Sequence, residues 1–137
     1  MRHLLRELDS YNLILGSKQI SLFLDYDGTL APITQIPEKA FIPKAVKNVL
    51  SRISTLSQIH VTVISGRSLG DVRNQVGVTG INYVGNHGYE IKGPKIEFEV
   101  LPSPEYKTLL IKLQKEISQK LTDFPGSFIE DKGTTIS

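Results

Sequence analysis

The sequence predicts an α/β fold built on a parallel sheet, and three observations carry that prediction. Short apolar runs, "QISLFLD", "HVTVIS" and "INYVGNHG", alternate with two amphipathic segments in the order strand, helix, strand, helix, strand. The first run is apolar at Ile20, Leu22, Phe23 and Leu24 without clean alternation, as expected of a strand covered on both faces. Right-handed crossovers then bring the strand-ending residues Asp25, Ser65 and Gly85 to one edge of the sheet, the edge where open α/β sheets bind ligands.

Each element has a local reason. "HLLRELDSYNLIL" places Leu4, Leu5, Leu8, Tyr11 and Leu15 near helical spacing, which predicts a short amphipathic helix ahead of the first strand. A loop with Pro32, Pro37 and Pro43 follows that strand. "KAVKNVLSRISTL" then forms a stripe of Val46, Val49, Leu50 and Ile53, with Pro43 suited to the first helical position. After the second strand, "SLGDVRNQV" spaces Leu69, Val72 and Val76 along a short helix, with Ser68 as its N-cap. "YEIKGPKIEFEV" alternates on both sides of Gly93-Pro94 and puts Ile96, Phe98 and Val100 on one face, a hairpin pattern. "SPEYKTLLIKLQKEISQKL" is a long amphipathic helix with Ser103 as cap, Pro104 in its first turn and a stripe of Leu109, Leu113, Ile117 and Leu121. "FPGSFIEDKGTTIS" begins what reads as one more strand.

Composition narrows the function classes. Of 137 residues, 39% are hydrophobic and 22% charged, an ordinary globular balance. Sixteen basic and fourteen acidic side chains leave +2, scattered without a basic stripe, so nucleic acid is not an expected partner. Cysteine is absent, which excludes a disulfide scaffold and a thiolate zinc site. Arg6, Glu7 and Asp9 interrupt the apolar residues near the N-terminus, so it does not read as a signal peptide. No stretch approaches the roughly 20 apolar residues of a spanning helix. The expectation is a cytoplasmic protein without a membrane partner.

The chemistry is concentrated in "DYDGT". Asp-Gly alone reads as a turn, and aspartate often caps a helix, but that leaves Asp25 at the end of an apolar run unexplained. Carboxylates beside a core strand are costly unless something compensates them. A phosphoryl-transfer site uses every position. Asp25 can be a carboxylate nucleophile, and Asp27 can serve as general acid and then base. Gly28 admits a phosphate close to the backbone, and Thr29 can hold the loop. Two carboxylates would repel a phosphate dianion, so Mg²⁺ is expected between them, with Asp25 and Asp27 as its ligands.

The apolar strand followed by D-x-D-G-T resembles the first motif of the haloacid-dehalogenase-like (HAD) phosphatases. That resemblance implies a HAD-like Rossmannoid sheet with flanking helices and a phosphate-binding hydroxyl after the second strand. Ser65 of "VTVISGR" stands there, although an N-cap role would also suit it. "LFLDYDGTLAPI", "SGR", "GNHGYE" and "IEDKG", in that order, are similar to the trehalose-6-phosphate phosphatases from about Leu22 onward. The resemblance implies trehalose 6-phosphate as substrate. It places Gly28, Thr29, Ser65, Gly66 and Arg67 around the phosphate and pocket rim, and Asn86, His87 and Glu90 beside the sugar. It also implies a mobile cap in which Glu130 and Lys132 contact sugar hydroxyls, a pairing suited to hydroxyl recognition. His87 alone also reads as an ordinary loop residue, and Glu130-Asp131-Lys132 as a solvated turn.

The same family pattern implies a later lysine that neutralises the aspartyl-phosphate and later aspartates that complete the Mg²⁺ shell. No second aspartate pair follows an apolar run here. The expectation is therefore the N-terminal portion of a longer phosphatase: an incomplete core over 1–125, truncated at the start of an inserted cap over 126–137. The first strand would then form an apolar edge, prone to self-association. Three other readings stay open: a different sugar-phosphate phosphatase, a non-catalytic module that binds a trehalose-phosphate synthase or its own copy, and a receiver-like domain, which explains neither D-G-T nor S-G-R.

Overall fold

A computed structural model of the chain describes residues 19–36 and 39–137. The amphipathic helix expected between Leu4 and Leu15 lies outside the described residues. Five strands form one sheet in the order β1-β2-β3-β4-β5: β1 (Ile20–Asp25), β2 (Ile59–Ile64), β3 (Asn82–Gly85), β4 (Glu90–Lys92) and β5 (Glu97–Glu99). The first three are parallel, and β4 and β5 add an antiparallel hairpin. Among the described residues three α-helices accompany them, α1 (Lys44–Ile53), α2 (Leu69–Val76) and α3 (Pro104–Leu121). Among the described residues no helix is long and apolar enough to cross a membrane.

Helix ends follow from local chemistry. The Ser68 side chain accepts the Asp71 N–H, and α2 closes on Gly77 in the left-handed conformation that glycine adopts without strain. The Ser103 side chain accepts the Tyr106 N–H, with a proline in the first turn of α3. Pro43 precedes α1 as its N-cap residue, one position earlier than expected.

The core lies on one face of the sheet. Leu50 of α1 and Val72 and Val76 of α2 join Val61, Val63 and Tyr83 in one buried cluster. Both crossovers step in the same direction, β1 to β2 to β3, so their right-handed paths place α1 and α2 on the same side. The opposite face consequently has neither helix. This corrects the expectation that β1 is covered twice: its residues alternate between half-buried and exposed, and Phe23 is 67% exposed. Register puts Asp25, Ile64, Val84, Ile91 and Phe98 in one row across that open face, two residues along β1 from Phe23.

Three more expectations are revised. Val49 is exposed, because only Val46, Leu50 and Ile53 of the α1 stripe turn to the core. No residue of α3 is buried, and Leu109, Leu113 and Ile117 are partly exposed instead of forming a covered stripe. The last segment is a tight turn, not an extended strand. Glu130 and Ser137 exchange both backbone hydrogen bonds at 2.8 and 2.9 Å, and Lys132 N–H donates to Thr135 O at 2.9 Å.

Candidate active site

The carboxyl ends of the three parallel strands carry the site, as the topology requires. Asp25 is the last residue of β1, Ser65 follows β2 directly, and Gly85 ends β3. Register aligns Asp25 with Ile64, and Ile64 with Val84.

After Asp25 the chain folds into a compact turn. Tyr26 is fully buried, and its carbonyl accepts the N–H groups of Thr29, Leu30 and Ala31 at 3.4, 3.0 and 2.9 Å. Its phenol donates to the Ala40 carbonyl, and burial pushes the phenol pKa up. Gly28 takes φ +84, a conformation costly for any residue with a side chain. With Tyr26 turned inward, Asp25 and Asp27 remain at the surface. The Thr29 hydroxyl donates to Asp25 Oδ2 at 3.4 Å.

Asp27 is gripped by Arg67. Nε donates to Oδ2 at 2.9 Å and Nη2 to Oδ1 at 2.8 Å, while Nη1 donates to Asp71 Oδ2 at 2.8 Å. The guanidinium lies 5.2 Å from the centre of the Tyr26 ring. Arg67 is only 8% exposed, and these bonds, that to Asp27 foremost, raise its pKa. Ser65 is buried; its N–H donates to Val84 O at 2.9 Å, and its hydroxyl accepts the Arg67 N–H at 3.1 Å. Among the described residues its own proton meets no acceptor, which leaves it free for an anion.

The loop after β3 packs against this strand end. A Cβ on Gly66 would stand 2.6 Å from the His87 ring, so the imidazole lies directly over that glycine. Asn86 is completely buried, with its N–H donating to Arg67 O at 2.6 Å. Glu90 accepts the Leu69 N–H at 2.7 Å, which stabilises the first turn of α2. Lys132 pairs with Glu130 at 3.2 Å and donates to the Ser137 hydroxyl at 3.1 Å.

The fold thus links Asp27, Arg67, Gly66, His87 and Asn86 in one contiguous set, and reaches Lys132 through its main chain. Glu130 and the Lys132 ammonium contact each other, not the aspartates. Sequence reasoning missed Tyr26, Asp71 and Thr135. Asp71 had a signal, since i,i+4 spacing from Arg67 at the start of a helix favours an ion pair. The other two follow from packing alone.

As a place for a hard cation, the site is partial. Asp25 is exposed and offers oxygen ligands, but the carboxylate of Asp27 is engaged by Arg67, leaving its main-chain carbonyl. Among the described residues no group of three or more His, Cys, Asp or Glu is arranged to hold a metal. The donors fit Mg²⁺ in kind and fall short of its usual six ligands in number. A separate cleft of about 650 Å³, lined by Arg73, Asn74, Gly77, Ile81, Tyr83 and Lys92, lies toward the amino end of β3, away from Asp25.

Comparison with known proteins points the same way as the strand-end geometry. The trehalose-phosphatase family model matches residues 23–137. "Probable trehalose-phosphate phosphatase C" of Arabidopsis thaliana is 35% identical over 120 residues, covering 82% of this chain and 37% of that protein. "Trehalose-phosphate phosphatase B" of the same plant is 34% identical over 131 residues, 88% of this chain and 34% of its own. The chain spans about a third of the length of these curated relatives. Among solved structures, the C-terminal domain of C. albicans trehalose-6-phosphate phosphatase superposes with TM-score 0.70 at 28% identity, over 87% of this chain and 42% of that one. A haloacid dehalogenase-like hydrolase from B. subtilis, at TM-score 0.51, 23% identity and 72% and 34% coverage, shares the fold.

Proposed function

The chain belongs to the trehalose-phosphatase family, and from that premise we propose that it carries the phosphoryl-transfer half of a site that hydrolyses trehalose 6-phosphate to trehalose and phosphate. Asp25 is the nucleophile. Its carboxylate oxygen bonds to phosphorus while the ester P–O bond breaks, and Asp27 gives a proton to the departing sugar oxygen. Water then adds to the aspartyl-phosphate, Asp27 takes its proton, and phosphate leaves with Asp25 restored. The Ser65 hydroxyl and the Gly28 and Thr29 backbone hold phosphoryl oxygens. Gly66 and Arg67 shape the rim, with Arg67 orienting Asp27. His87, Glu90, Glu130 and Lys132 serve the sugar, the last two as the opening of a cap over 126–137. Mg²⁺ would be held by the Asp25 carboxylate and the Asp27 main-chain carbonyl, and would supply charge neutralisation at the reacting phosphoryl group.

The observation that carries this reading is Asp25: exposed, at the end of β1, beside an Asp27 held in place by an arginine from the Ser65 loop. The test is phosphate release from trehalose 6-phosphate by the purified chain with Mg²⁺ and with EDTA, beside Asp25→Asn. Metal-dependent release that Asp25→Asn abolishes supports the assignment; release that survives Asp25→Asn overturns it. Other sugar phosphates run in parallel decide the substrate.

The outer edge of β1, which has no strand partner among the described residues, and the solvent-exposed Phe23 favour a second reading. In it the chain is a non-catalytic module that associates with a trehalose-phosphate synthase or with its own copy. Absence of turnover together with a stable complex supports that alternative. Either activity is proposed for the cytoplasm.

A further inference from the structure

We infer that Asn86 is a positioning residue, a buried tie that docks the Glu130–Ser137 turn onto the Ser65–Arg67 loop and keeps His87 over Gly66. Its position within "GNHG" suggests a side chain facing sugar, yet Asn86 is 0% exposed. Both ends of its amide are engaged across the fold. Nδ2 donates to the Lys132 carbonyl at 3.3 Å, and Oδ1 accepts the Thr135 hydroxyl. Its main chain faces the other way, donating to Arg67 O at 2.6 Å and accepting from Tyr89 N–H at 3.1 Å. One residue therefore touches the phosphate-binding loop with its backbone and the C-terminal turn with its side chain.

The local backbone is strained in a manner that needs holding. Asn86 and His87 stand at φ +48 and +56, consecutive non-glycine residues in the left-handed region. Asparagine tolerates that region better than most residues, while a bulkier side chain is held there by its surroundings. His87 is fixed by its N–H donating to Ser65 O at 3.4 Å and by its ring against Gly66. The Glu130–Ser137 turn, in contrast, is closed on itself by four backbone hydrogen bonds and the Lys132–Glu130 ion pair. The turn also borders α3, with Asp131, Gly133 and Ile136 facing Lys107, Leu110 and Ile111 across a shallow cleft, and the Asn86 amide is its tie to the Ser65–Arg67 loop. Without the amide, the Lys132 carbonyl and Thr135 hydroxyl lose their partner, and the turn bearing Glu130 and Lys132 comes off the loop. The tie is a property of the fold. Only its service to sugar binding rests on the function proposed above, and its test needs no turnover.

The experiment is amide hydrogen exchange, residue by residue, on the full chain and on two variants. Asn86→Gly accepts the positive φ and deletes the amide; Thr135→Val leaves Asn86 in place and deletes one partner. The expected result in both is exchange of the Glu130, Lys132 and Ser137 amides faster by roughly tenfold or more, with β1–β3 protection unchanged. In Asn86→Gly the Gly66 amide and His87 ring resonances also shift. Wild-type exchange rates in that turn for both variants overturn the proposal. So does an absence of protection there in the wild-type chain, or loss of protection throughout the sheet.

Discussion

The guanidinium of Arg67 holds both carboxylate oxygens of Asp27, at 2.8 and 2.9 Å, from forty residues farther along the chain. A second arm reaches Asp71, and the Tyr26 ring lies beneath. This planar fork fixes Asp27 in direction as well as in place, which an ammonium cannot do. Arg67→Lys is expected to lose about 1–3 kcal/mol of stability, since one charge cannot satisfy both aspartates. Where the chain turns over, kcat falls roughly tenfold to a hundredfold with a smaller change in KM, because a misaimed proton donor penalises chemistry more than binding. Urea denaturation and steady-state kinetics read the two effects. An unchanged kcat would remove Arg67 from the positioning of Asp27.

Gly66 and Gly85 border the same site, and their alanine variants should behave differently. A Cβ at Gly85 would stand 2.4 Å from the Leu69 nitrogen and 2.5 Å from its Cα, backbone atoms at the start of α2. Only movement of the helix relieves that, so Gly85→Ala is expected to cost about 3 kcal/mol or more. At Gly66 the obstacle is the exposed His87 imidazole, which can swing aside. Gly66→Ala should cost under about 1 kcal/mol while shifting the His87 ring resonances. Equal losses from the two in chemical denaturation would contradict this account.

How much of this was legible in the sequence depends on the kind of contact. Asp25, Ser65 and Gly85 converge because strand order and crossover handedness leave them no other edge. The Ser68 and Ser103 caps follow from local chemistry within one helical turn. The Arg67–Asp27 fork was not readable, since it joins two loops through side-chain geometry alone. The burial of Asn86 was not readable from the sequence either, since it is created by a turn nearly fifty residues downstream. Phe23 misled for a topological reason. An apolar run reads as covered on both faces, but α1 and α2 occupy the same one.

That open face makes self-association measurable. Phe23, Ile64 and Phe98 expose apolar surface on it, and β1 has a strand partner on one side only among the described residues. Contiguous apolar patches and bare strand edges promote association. Sedimentation velocity is expected to show mass rising with concentration, and Phe23→Lys should shift the distribution toward monomer. Because the side chain is 67% exposed, the folding free energy should change by no more than about 0.5 kcal/mol. A wild-type chain that is monomeric at every concentration would refute the prediction.

Alkaline stability tests the core beside the site. The Tyr83 hydroxyl donates to Val78 O at 2.6 Å and accepts the Val78 N–H at 3.1 Å, and burial raises its pKa above the ordinary tyrosine value. An unfolded chain releases this proton near pH 10, about the free tyrosine pKa, while the folded chain retains it. Below that pH both states hold the proton and Tyr83 adds no pH dependence. Above it the unfolded state binds fewer protons, so stability falls as pH rises toward the folded pKa. Tyr26, also raised by burial, adds a loss of the same sign. Tyr83→Phe should cost about 1–3 kcal/mol at neutral pH, because both Val78 groups lose their partner. It should also flatten the decline, leaving Tyr26 as the remaining buried phenol among the described residues. Urea midpoints from about pH 8 to pH 11 separate the two effects. Parallel declines for wild type and Tyr83→Phe would show that Tyr83 keeps no proton the unfolded chain releases.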